Sequence, residues 1–336
     1  MAMDPTTKAA LAILRAFSPD FFGHLRGALT RAGLAGEEKY GVGAFFILLS
    51  RFRPNPLRLV IQESTEGSAK YLLRSVAKLL ETGTIRDVFS EGGWSQFAPY
   101  PARKVAYVPQ WSDWSREGTR IEINENQLTR ILQREHDRRI VETPHTAEAP
   151  FVCVSPQPPV GRFGEPEGMQ RWLTIKLPAP RSSVSAAIAP LDEDEISVWV
   201  EVQRLVQERA NVPILLPDWA DVMITQACQD ERAARHLPAF LASWKTVTLL
   251  RSFRGDDDHV GDMIRADFED LAVTSLLLRG VFREGRWFPS PAKIFGEVFP
   301  SGEERGVINP LTGKGVPYTR RDNQPVQWSS LLPDVV

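Results

Sequence analysis

Residues 57–73 join an apolar run to a helical pattern through a loop of small residues, as a phosphate-binding loop does. In the intact form G-x-x-x-x-G-K-[ST], backbone N–H groups surround the phosphates, the lysine contacts the β- and γ-phosphates, and the hydroxyl binds magnesium. Lys70 stands at the lysine position. Ala69 replaces the second glycine, Tyr71 replaces the hydroxyl residue, and Ser64 stands where the first glycine often lies. The pattern therefore predicts a nucleotide site that has lost part of its chemistry.

The candidate loop as a whole consists of Ser64, Gly67, Ser68, Ala69, Lys70 and Tyr71. A tyrosine at position 71 cannot coordinate magnesium as a serine or threonine does, and a Cβ at position 69 narrows the backbone conformations open to the loop. ATP and magnesium are expected ligands only if this altered loop still functions, and otherwise no cofactor is expected. Alternatively, Lys70 is merely the exposed first residue of a helix.

The elements that must position this loop alternate between strands and helices. Strands are predicted at 57–62, 104–108, 150–155 and 171–177, with helices at 70–82 and 124–135. Strands rich in Val, Ile and Leu that alternate with helices favour a parallel sheet covered on both faces. A phosphate loop belongs at the carboxyl end of the first of these strands.

Helical patterns flank this alternating region on both sides. At the N-terminal side, Ser18 followed by Pro19 predicts a helix start, and a second helix over 37–52 is stopped by Pro54 and Pro56. At the C-terminal side, helices are predicted at about 191–210, 217–230, 233–253 and 266–281. The last 40 or so residues are rich in Gly and Pro and predict loops.

Several segments follow one another in the order of a known family. Residues 36–51 match a helical collar, and residues 56–62 match the strand that enters the loop. Residues 103–108 match a strand that normally ends in two acids, residues 150–155 match a sensor strand, and residues 171–177 match a strand that begins with an arginine. Residues 268–272 match the start of a helix in the C-terminal lid or winged-helix region. In this order the chain resembles the primase-associated helicase-like ATPases of phages, plasmids and mobile elements, which are hexameric AAA+ proteins.

The resemblance implies an α/β fold: a P-loop NTPase, AAA+-like core with a parallel sheet, an N-terminal helical collar and a C-terminal helical or winged-helix-like region. The implied domains are a collar over 1–53, a degenerate core over 54–180, a helical lid over 181–255, and a winged-helix-like region with a loop-rich tail over 256–336.

The catalytic residues that the resemblance implies are incomplete. Pro109 and Gln110 stand where the acid pair belongs, and Asp113 is the nearest substitute. Without the acid pair, no group is placed to hold the water shell of the metal or to orient the attacking water. Arg171 matches the inter-subunit arginine, or it is a strand-end residue paired with a nearby glutamate. Ser155 matches the sensor, or it satisfies backbone groups at a strand end.

Two groups of basic residues are candidates for DNA binding. The first is Arg130, Arg134, Arg138 and Arg139, and the second is Lys314, Arg320 and Arg321. The first group makes a plausible surface for phosphates, but interleaved acids make a solvated, salt-bridged helix end an equal alternative. The second lies near aromatic residues that could stack on bases, or it belongs to a loop wrapped onto the lid.

Composition restricts the class of protein. The chain has 336 residues, a formal net charge of −2 and two cysteines, so any nucleic-acid contact must come from local patches and a reduced, cytoplasmic setting is expected. No apolar run approaches the roughly 18 residues that a membrane span needs, so no membrane partner is expected. The five histidines show no metal-ligand spacing, so no metal site is predicted.

Loss of the hydroxyl, the glycine and the acid pair together indicates relaxed catalytic demand, so we interpret the chain as a pseudo-ATPase. The first hypothesis is a non-catalytic helicase-like protein acting in DNA replication or maintenance of a mobile element, by self-assembly or with a related replication protein. An active DNA-stimulated ATPase or helicase with divergent motifs is the second. A DNA-binding adaptor that uses the C-terminal region is the third.

Overall fold

The structure is a computed structural model. It describes residues 4–16, 20–53, 56–65, 67–87, 105–108, 151–154, 172–178, 191–229, 231–254, 259–260, 262–282, 295 and 304–319. Within them it is a mixed structure of helices and a parallel sheet.

The N-terminal half begins with three helices and continues into the strands of the main sheet. Its elements are α1 Pro5–Ala16, α2 Phe21–Leu29, a π-helical turn Thr30–Leu34, α3 Glu38–Leu49, a 3-10 turn Ser50–Phe52, β1 Arg58–Gln62, α4 Ser68–Ala77, β2 Ile85–Asp87, β3 Val105–Val108, β4 Phe151–Val154 and β5 Trp172–Lys176.

Helices dominate the C-terminal half. Its elements are α5 Glu193–Glu208, β6 Ile214–Leu215, α6 Trp219–Gln229, α7 Glu231–Arg251, a 3-10 turn Ser252–Arg254, β7 His259–Val260, β8 Met263–Arg265, α8 Phe268–Val281, β9 Glu304–Ile308 and β10 Gly315–Thr319. The helices predicted from the sequence in this half are confirmed, with ends that differ by a few residues.

The main sheet has five parallel strands in the order β2-β3-β4-β1-β5. The interior strand β1 pairs with β4 through Leu59 opposite Val152, and with the edge strand β5 through Leu59 opposite Leu173. The predicted parallel sheet and its four strands are confirmed. Strand β2 was not predicted, because a strand of three residues carries too little periodicity to be recognised. The helix predicted at 124–135 lies outside the described residues.

The start of α2 differs from the prediction. Its N-cap is Asp20, whose Oδ1 accepts from the Gly23 N–H at 3.0 Å, and not Ser18. A carboxylate that reaches the N–H three residues later satisfies one of the free donors of the first turn. Ser18 itself lies outside the described residues.

Helix α3 lies at the centre of the core. All nine of its residues from Gly41 to Leu49 are buried, so the helix is covered on every side and shows no polar face. Trp199 of α5 packs edge-on against Phe21 and Phe45, with ring centroids 5.9 and 5.7 Å away. Aromatic contacts therefore join α5 to both α2 and α3.

A buried polar network joins the N-terminal helices to the rest of the core. Arg51 is 2% exposed and donates to the Leu48 carbonyl at 2.8 Å and to Gln203 Oε1 at 2.6 Å. Gln203 in turn donates to the Leu79 carbonyl at 2.7 Å. Burial lowers the pKa of Arg51 to about 9. The guanidinium is thus held by neutral acceptors and stacks on the Phe52 ring at 4.0 Å.

Helices α7 and α8 pack against each other through an ion pair. Arg251 Nε donates to Asp270 Oδ1 at 2.7 Å, and Asp270 is 1% exposed. Asp270 and Asp267 also form a capping box at the start of α8, because each side chain accepts from the backbone N–H of the other.

The C-terminal tail is more regular than predicted. Strands β9 and β10 form an antiparallel hairpin in this tail. Earlier in the chain, β6, β8 and β7 form a small three-stranded sheet. The residues between β9 and β10 include Gly313 at φ 71°, which allows the tight reversal. None of the helices in the described part of the chain is long and apolar enough to cross a membrane.

Candidate functional site

The altered phosphate loop lies at the carboxyl end of β1, an interior strand of the main sheet. Strand β1 ends at Gln62 and α4 begins at Ser68, so the loop spans only five residues. Gly67 is the N-cap of α4 and has φ 86°, a left-handed conformation that favours glycine. The loop is therefore where the sequence places it, between an interior strand of a parallel sheet and a helix N-terminus.

A carboxylate of the chain itself contacts the N-terminus of α4. Glu63 Oε2 accepts from the Ala69 N–H at 3.0 Å and lies 3.4 Å from the Ser68 hydroxyl, which donates to it. Free N–H groups at a helix start attract anions, and in a working phosphate loop they meet phosphate. Glu63 therefore places a negative charge where a phosphate would bind.

Sequence reasoning did not select Glu63, because the motif assigns it no role. Its signal was available: an acid that directly follows a strand and lies five residues before the first residue of a helix can cap that helix. The motif indicates which phosphate-binding groups the loop lacks. It does not indicate that Glu63 accepts a hydrogen bond from the first turn of α4.

Tyr71 contacts the N-terminal helices. Its hydroxyl donates to the Gly33 carbonyl at 2.6 Å, and Lys78, which directly follows α4, donates to the Ala32 carbonyl at 2.8 Å. Gly33 has φ 115°, and a Cβ there would lie 2.9 Å from the Tyr71 oxygen, so only glycine suits this position. Tyr71, which stands at the hydroxyl position of the motif, thus holds α4 against the π-helical turn.

The other two central positions of the motif are Ala69 and Lys70. Ala69 is fully buried in the core, so its methyl group packs where the motif would have a glycine. Lys70 is exposed, and its side chain makes no hydrogen bond or ion pair with the residues that the structure describes. Ser64 and Gly67 are exposed in the loop.

The candidate catalytic residues Asp113, Ser155 and Arg171 lie outside the described residues. The strands beside them are described, however. Strands β3 and β4 run parallel to β1, so their carboxyl ends lie at the same edge of the sheet as the loop. Strand β5, which follows Arg171 in the chain, begins at the opposite edge.

Only one of the candidate DNA-binding residues lies in the described part. Arg130, Arg134, Arg138, Arg139, Arg320 and Arg321 all lie outside it. Lys314 is exposed in the turn between β9 and β10. Its carbonyl accepts from the Asn309 N–H at 2.9 Å, which fixes the backbone of the turn.

Among the described residues, no group of three or more His, Cys, Asp or Glu side chains is arranged to hold a metal ion.

A cavity that the sequence did not predict lies between α2, α7, α8 and β9. Its volume is about 350 Å³, and its lining includes the Arg251–Asp270 pair together with Glu269, Phe22 and Val307. A cavity with a few convergent polar groups and a titratable residue of altered pKa is a candidate binding site.

We expect the stability of the protein to depend on pH through Asp270. Burial, with a smaller effect of Asp267, raises the pKa of Asp270 to about 7, although Arg251 acts to lower it. In the unfolded chain the pKa of an aspartate is about 4. The folded state therefore binds more protons between these values, and the contribution of Asp270 to the free energy of unfolding falls as the pH rises from 4 to 7.

The measurement is urea unfolding of the wild type and of Asp270→Asn at several pH values in this range. The wild type should gain stability relative to the variant as the pH falls. A difference that stays constant between pH 7 and pH 4 would contradict the assignment.

The sequence matches no protein-family model and no curated protein.

Proposed function

We propose that this chain is a helicase-like protein, built on a degenerate P-loop, AAA+-like core, that does not hydrolyse ATP. It acts in DNA replication or in maintenance of a mobile element, by self-assembly or with a related replication protein. The observation that supports the loss of catalysis is the contact of the Glu63 carboxylate with the first turn of α4.

The carboxylate opposes nucleotide binding by either of two routes. If Glu63 stays in place, a phosphate must approach it, and two unit charges about 4 Å apart repel by about 4 kcal/mol near a protein surface. If Glu63 moves away, α4 loses its cap, which costs about 1 kcal/mol. Both routes lower the affinity for ATP.

The position of Tyr71 supports the same proposal. The residue that would bring a hydroxyl to magnesium instead donates a hydrogen bond to Gly33, 38 residues earlier in the chain. A side chain used to fix α4 against the π-helical turn is not available to hold a metal ion. We therefore infer that the loop now stabilises the fold.

We expect no magnesium-dependent binding of ATP or ADP to the wild type, because Glu63 takes the anion position. Calorimetry with and without magnesium tests this on the wild type, Lys70→Ala and Glu63→Gln. Glu63→Gln removes the charge but keeps an oxygen that can accept from the Ala69 N–H. The wild type and Lys70→Ala should be indistinguishable, and neither should hydrolyse ATP when DNA is added. Turnover that Lys70→Ala abolishes would contradict the proposal.

An active DNA-stimulated ATPase is the alternative that the exposure of Lys70 favours. An exposed ammonium without a partner in the described residues is available to a phosphate. This alternative needs Asp113 as the acid and Arg171 from a neighbouring subunit. It predicts a ring that forms only with nucleotide, which sedimentation velocity with and without ATP would detect.

A DNA-binding adaptor is favoured by the exposed Lys314 at the tip of the β9–β10 hairpin. Truncating the chain from 256 would remove α8, which packs on α3 and α7 and buries ten residues. Substitution is therefore the better test. Lys314→Glu combined with Arg320→Glu and Arg321→Glu should weaken DNA binding and reduce its salt dependence if this surface contacts phosphates.

A further inference from the structure

The cavity between α2, α7, α8 and β9 has a largely apolar wall. Phe21 and Phe22 of α2, Val273 of α8 and Val307 of β9 all contribute to it. Phe21 and Phe22 meet edge to face with ring centroids 5.4 Å apart, and Phe22 is half-buried. The volume of about 350 Å³ lies in the range of sites that hold a small molecule. The apolar wall and its aromatic rings therefore suit a ligand with an aromatic ring.

The charged side chains of the wall are already engaged within the chain. They are Asp20, Arg251, Glu269 and Asp270, and each interacts with other groups of the protein. The strongest of these contacts is the ion pair in which Arg251 Nε donates to Asp270 Oδ1 at 2.7 Å. A neutral ligand leaves these interactions in place, whereas a charged ligand has to compete with them.

Strand β9 has an outer edge whose backbone groups point away from β10. The Asn309 N–H donates to the Lys314 carbonyl at 2.9 Å, so these two residues form a hydrogen-bonded pair of the hairpin. In an antiparallel ladder such pairs alternate with pairs that are not hydrogen-bonded, and Ile308 and Gly306 fall in the second kind. Gly306 lies opposite Pro317, which has no N–H, in agreement with this alternation. The N–H and C=O groups of Gly306 and Ile308 therefore point outward.

This outer edge borders the cavity. Gly306 and Ile308 both line the cavity and are both exposed, and Gly306 can line it only with backbone atoms because it has no side chain. In the described part of the chain β9 pairs with β10 alone, so no second strand bonds to these groups. Each of the two residues thus offers one donor and one acceptor beside an apolar cavity.

We propose that this cavity binds a small neutral molecule in which an aromatic ring carries a carboxamide group. The ring packs against Phe22, and the carboxamide exchanges hydrogen bonds with the outer edge of β9. A primary carboxamide has both a donor and an acceptor, so it can satisfy the N–H and the C=O of one backbone residue together. The site is separate from the β1–α4 loop and does not rest on the proposed loss of catalysis.

Titration of the full-length protein with benzamide, followed by NMR, tests the site. Toluene, benzoate and benzylamine are the comparison probes, because they keep the ring and replace the carboxamide with a methyl group, an anion or a cation. We expect benzamide to bind with roughly millimolar affinity and about tenfold more tightly than each of the other three. The backbone amide signals of Gly306 and Ile308 should shift. The signal of Gly315, which lies on β10 and does not line the cavity, should not.

Variants at Gly306 test the hydrogen bond itself. Gly306→Pro removes the outward N–H without breaking a bond to β10, so the affinity for benzamide should fall about tenfold. Gly306→Ala keeps the N–H, and its Cβ would lie 3.6 Å from the Val316 carbonyl oxygen, which is an ordinary contact. Its affinity should equal that of the wild type. The matched control is Gly315→Pro, which removes an outward N–H from β10 and places its Cβ where no atom lies within 4 Å. Its affinity should also be unchanged.

Three results would overturn the proposal. They are no binding of benzamide to the folded wild type, binding of toluene, benzoate or benzylamine as tight as that of benzamide, and equal losses of affinity in Gly306→Pro and Gly315→Pro. Signal shifts confined to residues away from the cavity would also overturn it. If Gly306→Pro does not fold, the positions of the shifted signals in the wild type and the ranking of the four probes decide the question.

Discussion

Asp270→Ala is expected to lower the free energy of unfolding by about 3–5 kcal/mol, because it removes the closer of the two carboxylates beside the buried Arg251 guanidinium and leaves only Asp267, 3.8 Å from Arg251 Nε. Asp270 Oδ1 accepts from Arg251 Nε at 2.7 Å. Oδ2 accepts from the Thr248 hydroxyl at 2.9 Å and from the Asp267 N–H at 3.1 Å. The substitution therefore removes an acceptor from three donors, which are Arg251 Nε, the Thr248 hydroxyl and the Asp267 N–H. It also weakens the packing of α7 against α8.

Urea unfolding at pH 8, where the Asp270 carboxyl is ionised, is the measurement. Asp267→Ala is the comparison variant, because Asp267 belongs to the same capping box but its side chain is 44% exposed and lies 3.8 Å from Arg251 Nε, against 2.7 Å for Asp270. Loss of that cap should cost about 1 kcal/mol. Equal losses in the two variants would show that the buried ion pair contributes little.

Trp199→Ala is expected to cost about 3–5 kcal/mol through the cavity that it leaves. Trp199 is fully buried, and its ring meets Phe21 at an interplanar angle of 73° and Phe45 at 80°. The indole thus fills the space between α5 and the two N-terminal helices, and the surrounding side chains cannot collapse into that space without moving whole helices.

Thermal and urea unfolding of Trp199→Ala and Trp199→Phe would measure this effect. Trp199→Phe keeps an aromatic edge in the same place, so it should lose less than half as much stability as Trp199→Ala. If the two variants are equally stable, the aromatic contacts at this position do not hold α5 to the N-terminal helices.

Local patterns in the sequence predicted most of the described elements. The runs at 57–62 and 171–177 became adjacent parallel strands, because Val, Ile and Leu in short runs between helices favour a sheet buried on both faces. Acids at 193–195 began α5 as expected from the helix dipole. The hairpin of β9 and β10 was missed, since its Gly and Pro residues resemble those of an irregular loop.

The sequence predicted where the loop lies in the chain, but not which contacts its residues make. The order of strand, loop and helix located the loop between β1 and α4, and the motif showed which positions had changed. It did not show that Glu63 caps α4, that Ala69 is packed in the core, or that Tyr71 bonds to Gly33. The capping contact is local and detectable in principle, whereas the other two depend on which helices pack together.

The sequence by itself determined the local elements and their order, because the period of apolar residues and the caps act over a few neighbouring positions. Only the tertiary structure decided which distant side chains meet. Arg51 reaches Gln203 across 152 positions and Arg53 reaches Ala210 across 157. A buried polar group must find a partner, but its own sequence neighbourhood does not specify which one, since packing of the helices selects it. The buried polar network and the Arg251–Asp270 pair both depend on this packing.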